Sequence, residues 1–379
     1  MMMEIIFWLA FAGALYAYFG YPLLLGFWAW ICPKQLKLNT QSELPSVSIL
    51  IPAHNEESVI AGKLANTIAL DYPRNKLEMV VVSDGSTDRT DDIVKGFTAD
   101  CPVHFYRVET RKGKANALNT GLQHVTGDIV VFSDSSIMLE NDALKAITKA
   151  FADPKVGCIS GEDHIPGGGG EGLYGRYELY LRNLESRIGS IVGASGSFYA
   201  QRRRLCTPFV EGLAPDFLSV LNTVEQGYRA ISEPAARGIM SAVSDTGAEF
   251  RRKVRTLLRG MTTLWAKRSL LNPVGNTTFA FVLISHKLMR WLVPFLLVIM
   301  LVANAYLLSS AFYLGLYALQ LLFYGLAVMA WLKVAGVESK FYGKVPLYFT
   351  VVNVAIFQAW LLFFRGVRQE IWEPSKRIT

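Results

Sequence analysis

Two aspartates each follow a short apolar, β-branched run in this chain. Asp84 ends the segment EMVVVSD, and Asp134 follows the segment GDIVVFS. In a parallel sheet, both runs would deliver an acidic side chain to the same carboxyl edge, where open α/β sheets bind their ligands. A carboxylate at the end of a buried strand is costly unless it is paired or bound to a cation. The pattern therefore predicts a site for a nucleotide and for Mg²⁺ or Mn²⁺, which carboxylate and diphosphate oxygens coordinate.

Two other segments would bring polar groups to the same edge. The segment ILIPAHNEE predicts a strand that ends near Ala53 and Glu56, and the Glu56 carboxylate could bind ribose hydroxyls there. The alternative is plain helix capping by Asn55, with the acidic residues favouring the helix dipole. Lys114, in RKGKANALN, could neutralise a phosphate, or it could simply be a solvated residue at a helix start.

Asp216 and a later basic run could supply the remaining chemistry. Asp216 lies in APDFLSVL at a predicted helix start, where it is either a general base or an acid that the helix dipole stabilises. The basic run includes Arg251, Arg252 and Arg255. Arginine pairs with phosphate bidentately, so these residues could hold a departing diphosphate. Binding of lipid headgroups is the competing interpretation.

The elements that must position these residues lie between about 46 and 245. β-rich runs alternate there with helical segments, which predicts an α/β domain with a mostly parallel sheet. The predicted strands are Val47–Ile51, Met79–Val82, His104–Val108, Ile129–Phe132 and Gly157–Ser160. The predicted helices are Glu57–Leu70, Asp88–Phe97, Lys114–His124 and Asp142–Phe151.

Composition and charge narrow the class of protein. The chain of 379 residues is 51% hydrophobic and carries a formal net charge of +7. A positive balance suits an anionic membrane surface or a phosphate-bearing substrate. Basic and aromatic residues are not interleaved as in a base-reading motif, so we expect no nucleic-acid partner. The four cysteines form no CxxC pair, which predicts neither a zinc site nor a disulfide framework.

Apolar segments at both ends of the chain predict a membrane protein. Residues 1–33 read as an uncleaved anchor, and Lys34 after it predicts a cytoplasmic following domain. Residues 246–290 are predicted to form amphipathic interfacial helices, and 291–332 a transmembrane hairpin. His286, Lys287 and Arg290 precede this hairpin and Lys333 follows it, which predicts that both of its ends are cytoplasmic. The segment 345–365 is interfacial or spanning, because a crossing would place the basic tail 366–379 outside. The expectation is three spanning helices, with a fourth crossing as the alternative.

Taken together, the ordered segments resemble glycosyltransferase family 2, the inverting GT-A transferases that include bacterial polysaccharide synthases of cellulose, chitin-like and hyaluronan type. The matching order is PAHNEE, DGSTD, RKGKANALN, SDSS, GASGSFYAQRR, PDF, EFRRKVR and IWEPSKR. An ordered series of motifs is far less likely to arise by chance than any one of them.

The resemblance implies roles for individual residues. The nucleotide would contact Ala53, Glu56, Asp84 and Lys114, and the metal would bind Asp134, with Ser136 in the place of the second acid of a D-x-D motif. Asp216 would be the catalytic base, and Pro215 stands where many relatives have another acid. The acceptor or the diphosphate would lie near Ser195 and Gly196, near the basic run, and near a gating-loop-like tail that contains Trp372, Lys376 and Arg377. The Q-x-x-R-W signature of processive synthases is replaced by EFRRKVR.

The resemblance implies a metal-assisted transfer of a sugar from a nucleotide diphosphate sugar, with UDP-sugar first, to a growing polysaccharide or a lipid-linked glycan. The protein would lie in a bacterial inner membrane with a cytoplasmic catalytic domain, and secretion would need a homo-oligomer or an export partner. One alternative is an enzyme that charges a polyprenyl phosphate with a single sugar. Another is a non-catalytic nucleotide-sugar sensor or scaffold.

Overall fold

The computed structural model of the protein describes residues 1–37, 43–98, 102–164, 169–240 and 246–368. Within these ranges, eight strands form one mixed sheet in the order β3-β2-β1-β4-β7-β6-β8-β5. The strands are β1 Val47–Ala53, β2 Leu77–Asp84, β3 Val103–Val108, β4 Ile129–Ser133, β5 Ile137–Leu139, β6 Val156–His164, β7 Phe198–Arg202 and β8 Arg229–Met240.

The predicted strands form the parallel part of the sheet. β3, β2, β1 and β4 are parallel neighbours, and β6 is parallel to β8. All residues of β1 and β4 are buried, which explains why their sequences are continuous apolar runs rather than alternating ones. The strands β5 and β7 run antiparallel to their neighbours, and the sequence analysis did not identify them.

Helices cover both faces of the sheet and extend beyond it at both ends of the chain. Their bounds are α1 Met2–Ile31, α2 Ile60–Ile68, α3 Thr90–Phe97, α4 Lys114–Leu122, α5 Ala143–Lys149, α6 Gly169–Ile188, α7 Pro215–Glu225, α8 Thr246–Ala266, α9 Thr277–Ala305, α10 Ala311–Trp331 and α11 Phe341–Phe364. Two buried hydrophobic clusters result, and alternate residues of β1 contribute to them: Leu50 to one, Ile49 and Ile51 to the other. Because successive side chains of a strand point to opposite faces, the sheet has one core on each side.

Four described helices are long and apolar enough to cross a membrane: α1, α9, α10 and α11. The length and composition of α11 make it a candidate span, which is the alternative that the sequence analysis gave beside an interfacial helix. Helix α9 begins at Thr277, so the predicted boundary between 290 and 291 falls inside a continuous helix. The helix α8 precedes it and carries the basic run.

The charged residues that precede Trp291 are buried in a contact between α9 and the sheet domain. Glu185 of α6 contacts the Tyr21 hydroxyl at 2.8 Å and His286 Nδ1 at 2.5 Å. Arg290 forms an ion pair with Glu178 of the same helix α6. In the sequence these basic residues resembled charges that flank a membrane span. In the fold they join α1, α6 and α9, which explains why the helix continues through them.

Candidate active site

The carboxyl ends of β1, β2 and β4 lie side by side, because these strands are parallel neighbours. Ala53, the last residue of β1, is paired with Ser83, which precedes Asp84 in β2. Asp134 follows the last residue of β4. The sheet therefore brings both predicted acidic segments to one edge.

The antiparallel strand β7 adds a third segment to this edge. Phe198, its first residue, is paired with Ser133 of β4. The loop before β7 therefore lies beside Asp134, whose backbone N–H donates to the Ser197 carbonyl at 3.0 Å. The Gly196 carbonyl is a second acceptor in this loop, at 3.1 Å from Lys114 Nζ.

Lys114 joins the loop to the predicted metal-binding aspartate. Its Nζ lies 2.5 Å from Asp134 Oδ1, and the two side chains are 15% and 22% exposed. Lys114 is the first residue of α4, and that helix starts at the same edge of the sheet. An ammonium and a carboxylate thus meet where solvent and ligand can reach them.

Asp216 lies at the same place. One small cavity is lined by Lys114, Asp134, Gly196 and Asp216, together with Pro52, Leu118, Phe132, Ser133, Tyr199 and Pro215. A Cβ added to Gly196 would lie 3.9 Å from Asp216 Oδ2, so a side chain there would approach the carboxylate. Within the described ranges, the Asp216 carboxylate has no hydrogen bond or ion pair. It can therefore accept a proton from a group that enters the cavity.

Asp84 acts on the site through a loop. It is 4% exposed, and its carboxylate accepts hydrogen bonds from the backbone N–H groups of Lys112 (2.9 Å) and Gly113 (2.7 Å). Gly113 has a φ of +96°, which favours glycine, and the chain enters α4 directly after it. Asp84 thus holds the loop that delivers Lys114, and its carboxylate is not part of the lining of the cavity around Asp134.

The PAHNEE and DGSTD segments are joined by hydrogen bonds. The Asn55 side chain accepts from the Thr87 N–H at 2.8 Å, and the Glu56 N–H donates to the Thr90 hydroxyl at 2.8 Å. Gly85 has a φ of +62°, and a Cβ there would lie 2.7 Å from the Arg111 nitrogen. Glycine is therefore required where the DGSTD turn passes under the loop before Lys114.

The other predicted residues of this edge differ in accessibility. Ala53 is buried, whereas Glu56 and Ser136 are half-buried. Ser195 is 1% exposed, and its hydroxyl donates to Asp163 Oδ1 at 2.6 Å and accepts from the N–H groups of Ser197 and Phe198. Ser195 therefore shapes the turn that presents Gly196.

Arg259, the last arginine of the basic run on α8, lies close enough to Asp216 to interact with it electrostatically. Arg259 is 7% exposed, and its Nε and Nη2 atoms have no hydrogen-bond partner among the described residues. Burial lowers the pKa of Arg259, the nearby Asp216 carboxylate raises it, and Arg255 lowers it. Arg251 and Arg252 lie earlier on the helix, at exposed and half-buried positions. Trp372, Lys376 and Arg377 lie outside the described residues.

The residues around Asp134 fit a divalent cation that is bound together with the phosphates of the substrate. The described residues contain no group of three or more His, Cys, Asp or Glu side chains that could hold a metal. Asp134 and Ser136 could supply a carboxylate and a hydroxyl. Mg²⁺-type sites commonly use one or two carboxylates, several waters and substrate phosphates, so this small ligand set is sufficient.

Sequence reasoning missed one residue of the site altogether. Lys63 of α2 is fully buried, and its Nζ donates to Ser133 Oγ and to the Ile137 carbonyl, both at 2.7 Å. These two residues bracket Asp134. A single lysine in a helical segment resembles a solvated surface residue, and the sequence contained no other signal.

Comparison with known proteins relates the sheet domain to a family and the whole fold to a solved structure. The profile described as "Glycosyl transferase family 2" matches residues 48–206. A mannosyltransferase from Pyrobaculum calidifontis, solved in complex with GDP-Man and Mn²⁺, superimposes with a TM-score of 0.76 at 26% identity, over 96% of this chain and 99% of that one. Residues 48–206, within the sheet domain, therefore match glycosyltransferase family 2. The predicted GT-A fold is confirmed by the same superposition.

Two curated relatives match a part of the chain. The "Probable glycosyltransferase YdaM" of Bacillus subtilis is 39% identical over 130 residues, which are 32% of this chain and 30% of that protein. The "Poly-beta-1,6-N-acetyl-D-glucosamine synthase" of Staphylococcus aureus is 29% identical over 161 residues, which are 42% of this chain and 37% of the synthase. The matched region thus spans about a third of the length of these relatives.

Proposed function

We propose that the protein is a membrane-bound inverting glycosyltransferase whose donor and acceptor meet between Asp134 and Asp216. The observation that carries this proposal is that both carboxylates line one cavity, with the Lys114 ammonium beside Asp134. Metal- or cation-binding groups on one side and an unpaired base on the other are what a direct displacement requires.

The residues divide the reaction between them. Lys114 binds the diphosphate of the donor. Asp134 with Ser136 would hold a divalent cation, which would neutralise the charge that develops on that diphosphate. Asp216 takes the proton from an acceptor hydroxyl. The hydroxyl oxygen forms the new bond to the anomeric carbon as the bond to the nucleoside diphosphate breaks. Attack from the opposite face inverts the configuration, so an α-linked donor gives a β-linked product.

The arginines on α8 have a place in the same scheme. Arg259 is buried next to the base, and Arg255 lies close to Arg259 on the same helix. We assign them, with Arg251 and Arg252, to the anionic groups of donor or acceptor, because guanidinium groups pair with phosphate bidentately.

The identities of the donor and the acceptor are proposed from the resemblance to known proteins rather than from the geometry of the site. We take a UDP-sugar as the first donor to test. The mannosyltransferase solved with GDP-Man makes GDP-sugars the alternative. The acceptor is a growing polysaccharide or a lipid-linked glycan, and the four apolar helices would hold it at a bacterial inner membrane with the sheet domain in the cytoplasm. A homo-oligomer or an export partner would be needed to secrete a polymer.

A single transfer to a polyprenyl phosphate is the second candidate. The likeness to a mannosyltransferase covers nearly the whole of this chain, whereas the likeness to a polymer synthase covers 42% of it. The two candidates share the donor half of the site, and the mass of the product distinguishes them.

Purified protein in lipid, incubated with a panel of uridine and guanosine diphosphate sugars and Mn²⁺, tests the proposal. We expect one donor to release its nucleoside diphosphate and the mass of the lipid or glycan product to increase. A polymer would indicate elongation, and a single-sugar lipid would indicate the second candidate. Donor binding without turnover would contradict the enzymatic proposal and indicate a sensor or scaffold.

A further inference from the structure

A lysine lies inside the protein, behind the cavity that Asp134 and Asp216 line. Lys63 lies on α2 with none of its side chain exposed. Removing an ammonium from water is costly, so a buried lysine needs strong compensating contacts. Burial lowers the pKa of Lys63 to about 7, although the Asp134 carboxylate acts to raise it.

The contacts of Lys63 enclose the turn that carries Asp134. Its Nζ donates to Ser133 Oγ, one residue before Asp134, and to the Ile137 carbonyl, three residues after it, both at 2.7 Å. The acceptor Ser133 is itself 1% exposed, so water does not compete for this hydrogen bond. One side chain therefore ties the two ends of the turn together.

A second residue of α2 continues this attachment. The Asn66 side chain donates to the Leu139 carbonyl at 2.9 Å and accepts from the Leu139 N–H at 2.8 Å. Residues three apart lie on the same face of a helix, so Lys63 and Asn66 face the same segment. Helix α2 thus fixes the chain from Ser133 to Leu139, although it contributes no residue to the lining of the cavity.

We propose that Lys63 is a positioning residue that holds the Ser133–Ile137 turn so that Asp134 and Ser136 are presented to the donor diphosphate and its cation. This inference rests on the proposed function, because it assigns Lys63 to the donor half of that site. Lys63 itself touches neither donor nor cation. Its loss should weaken binding of the cation and nucleotide, and should leave the step that depends on Asp216 nearly unchanged.

The test is Lys63→Met, which removes the ammonium and keeps an unbranched side chain, with Lys63→Gln as a second variant if the first does not fold. Thr67→Val is the matched control. Thr67 is also fully buried on α2, but its hydroxyl donates to the Lys63 carbonyl rather than to the turn. Mn²⁺ affinity in the presence of UDP or GDP is measured by electron paramagnetic resonance at fixed pH, and donor KM and kcat are measured separately.

We expect Lys63→Met to weaken nucleotide-dependent Mn²⁺ binding by roughly 10- to 100-fold, as is typical when a residue that orients a metal ligand is lost. The donor KM should rise while kcat stays close to the wild-type value, and Thr67→Val should change neither affinity. Ser133→Ala should weaken Mn²⁺ binding in the wild type and have a smaller effect in Lys63→Met, because both changes remove the same hydrogen bond.

Three results would overturn the proposal in different ways. If the wild type binds Mn²⁺ with nucleotide and the Lys63 variant binds it equally well, Lys63 does not position Asp134, and the proposed function stands. If Thr67→Val weakens binding as much as the Lys63 variant does, the effect is a general loss of stability. If the wild type binds no Mn²⁺ with either nucleotide, the proposed donor site is wrong, and the role of Lys63 with it.

Discussion

Replacing Asp216 by asparagine should separate chemistry from binding. The side chain keeps its size and can no longer take a proton. General-base catalysis contributes about 100- to 10,000-fold, which corresponds to about 2.7–5.4 kcal/mol in the activation free energy at 1.36 kcal/mol per tenfold change. Asp216 lies in the first turn of α7. Loss of its charge there should cost only about 0.3–1 kcal/mol of stability through the helix dipole.

The assay is release of nucleoside diphosphate at saturating donor, with nucleotide affinity measured on the same preparation. We expect Asp216→Asn to bind nucleotide like the wild type and to lose most of its turnover. Glu211→Gln is the control, because Glu211 is an exposed acid five positions earlier that does not line the cavity. Turnover at the wild-type rate in Asp216→Asn would refute the assignment of the base.

Three other expectations follow from the geometry. A chelator should abolish donor binding to the wild type, and Asp134→Asn should bind donor weakly with or without chelator. If the wild type binds donor equally well with chelator, Asp134 does not act through a metal. Gly85→Ala should lower the free energy of unfolding by about 1–3 kcal/mol, because Gly85 has a φ of +62° and the new Cβ would lie 2.7 Å from the Arg111 backbone nitrogen. Gly96→Ala is the control and should be tolerated, because nothing lies within 4 Å of a Cβ there. Equal melting temperatures for the two variants would contradict this account of the turn. The pKa of Lys63 is lowered from 10.5 to about 7 on folding, so between these pH values the unfolded chain binds more protons. The free energy of unfolding of the wild type should therefore rise with pH across that window relative to Lys63→Met, and fall as the pH returns towards 7. Parallel thermal-unfolding profiles for the two proteins would contradict the lowered pKa of Lys63.

Much of the fold was predictable because parallel strands leave a strong pattern. β1 and β4 are buried on both faces, so their apolar runs are continuous and end in the polar residues that mark the sheet edge. The antiparallel β7 was not predicted, because GSFYAQRR mixes buried and charged residues within five strand positions. Its direction determines that Gly196 lies beside Asp134, and no local pattern encodes that direction.

The site was predictable where a residue contacts the cavity directly. The motifs identified Asp134, Lys114 and Asp216, and the structure brings all three together. Residues that act through the backbone were harder to assign. Asp84 was predicted to contact the nucleotide, and the structure adds that its oxygens accept two backbone N–H groups of the loop before Lys114. Lys63 escaped notice because its partners, Ser133 and Ile137, are 70 and 74 residues away in sequence.

The partners of the basic residues before Trp291 were also not predictable, because they lie far away in the sequence. His286 and Arg290 resembled the basic flank of a membrane span, yet they pair with Glu185 and Glu178 of α6. Only the fold places those two acids opposite them. Helix α9 therefore begins at Thr277, well before the boundary that the sequence predicted at residue 291.

A cryo-electron microscopy structure of the protein in lipid with Mn²⁺ and the nucleoside diphosphate of its donor would test the central claim most directly. We expect the diphosphate against Lys114, the cation on Asp134, and Asp216 facing the position from which an acceptor hydroxyl would attack. A nucleotide bound elsewhere, or a cation that Asp134 does not touch, would contradict the account.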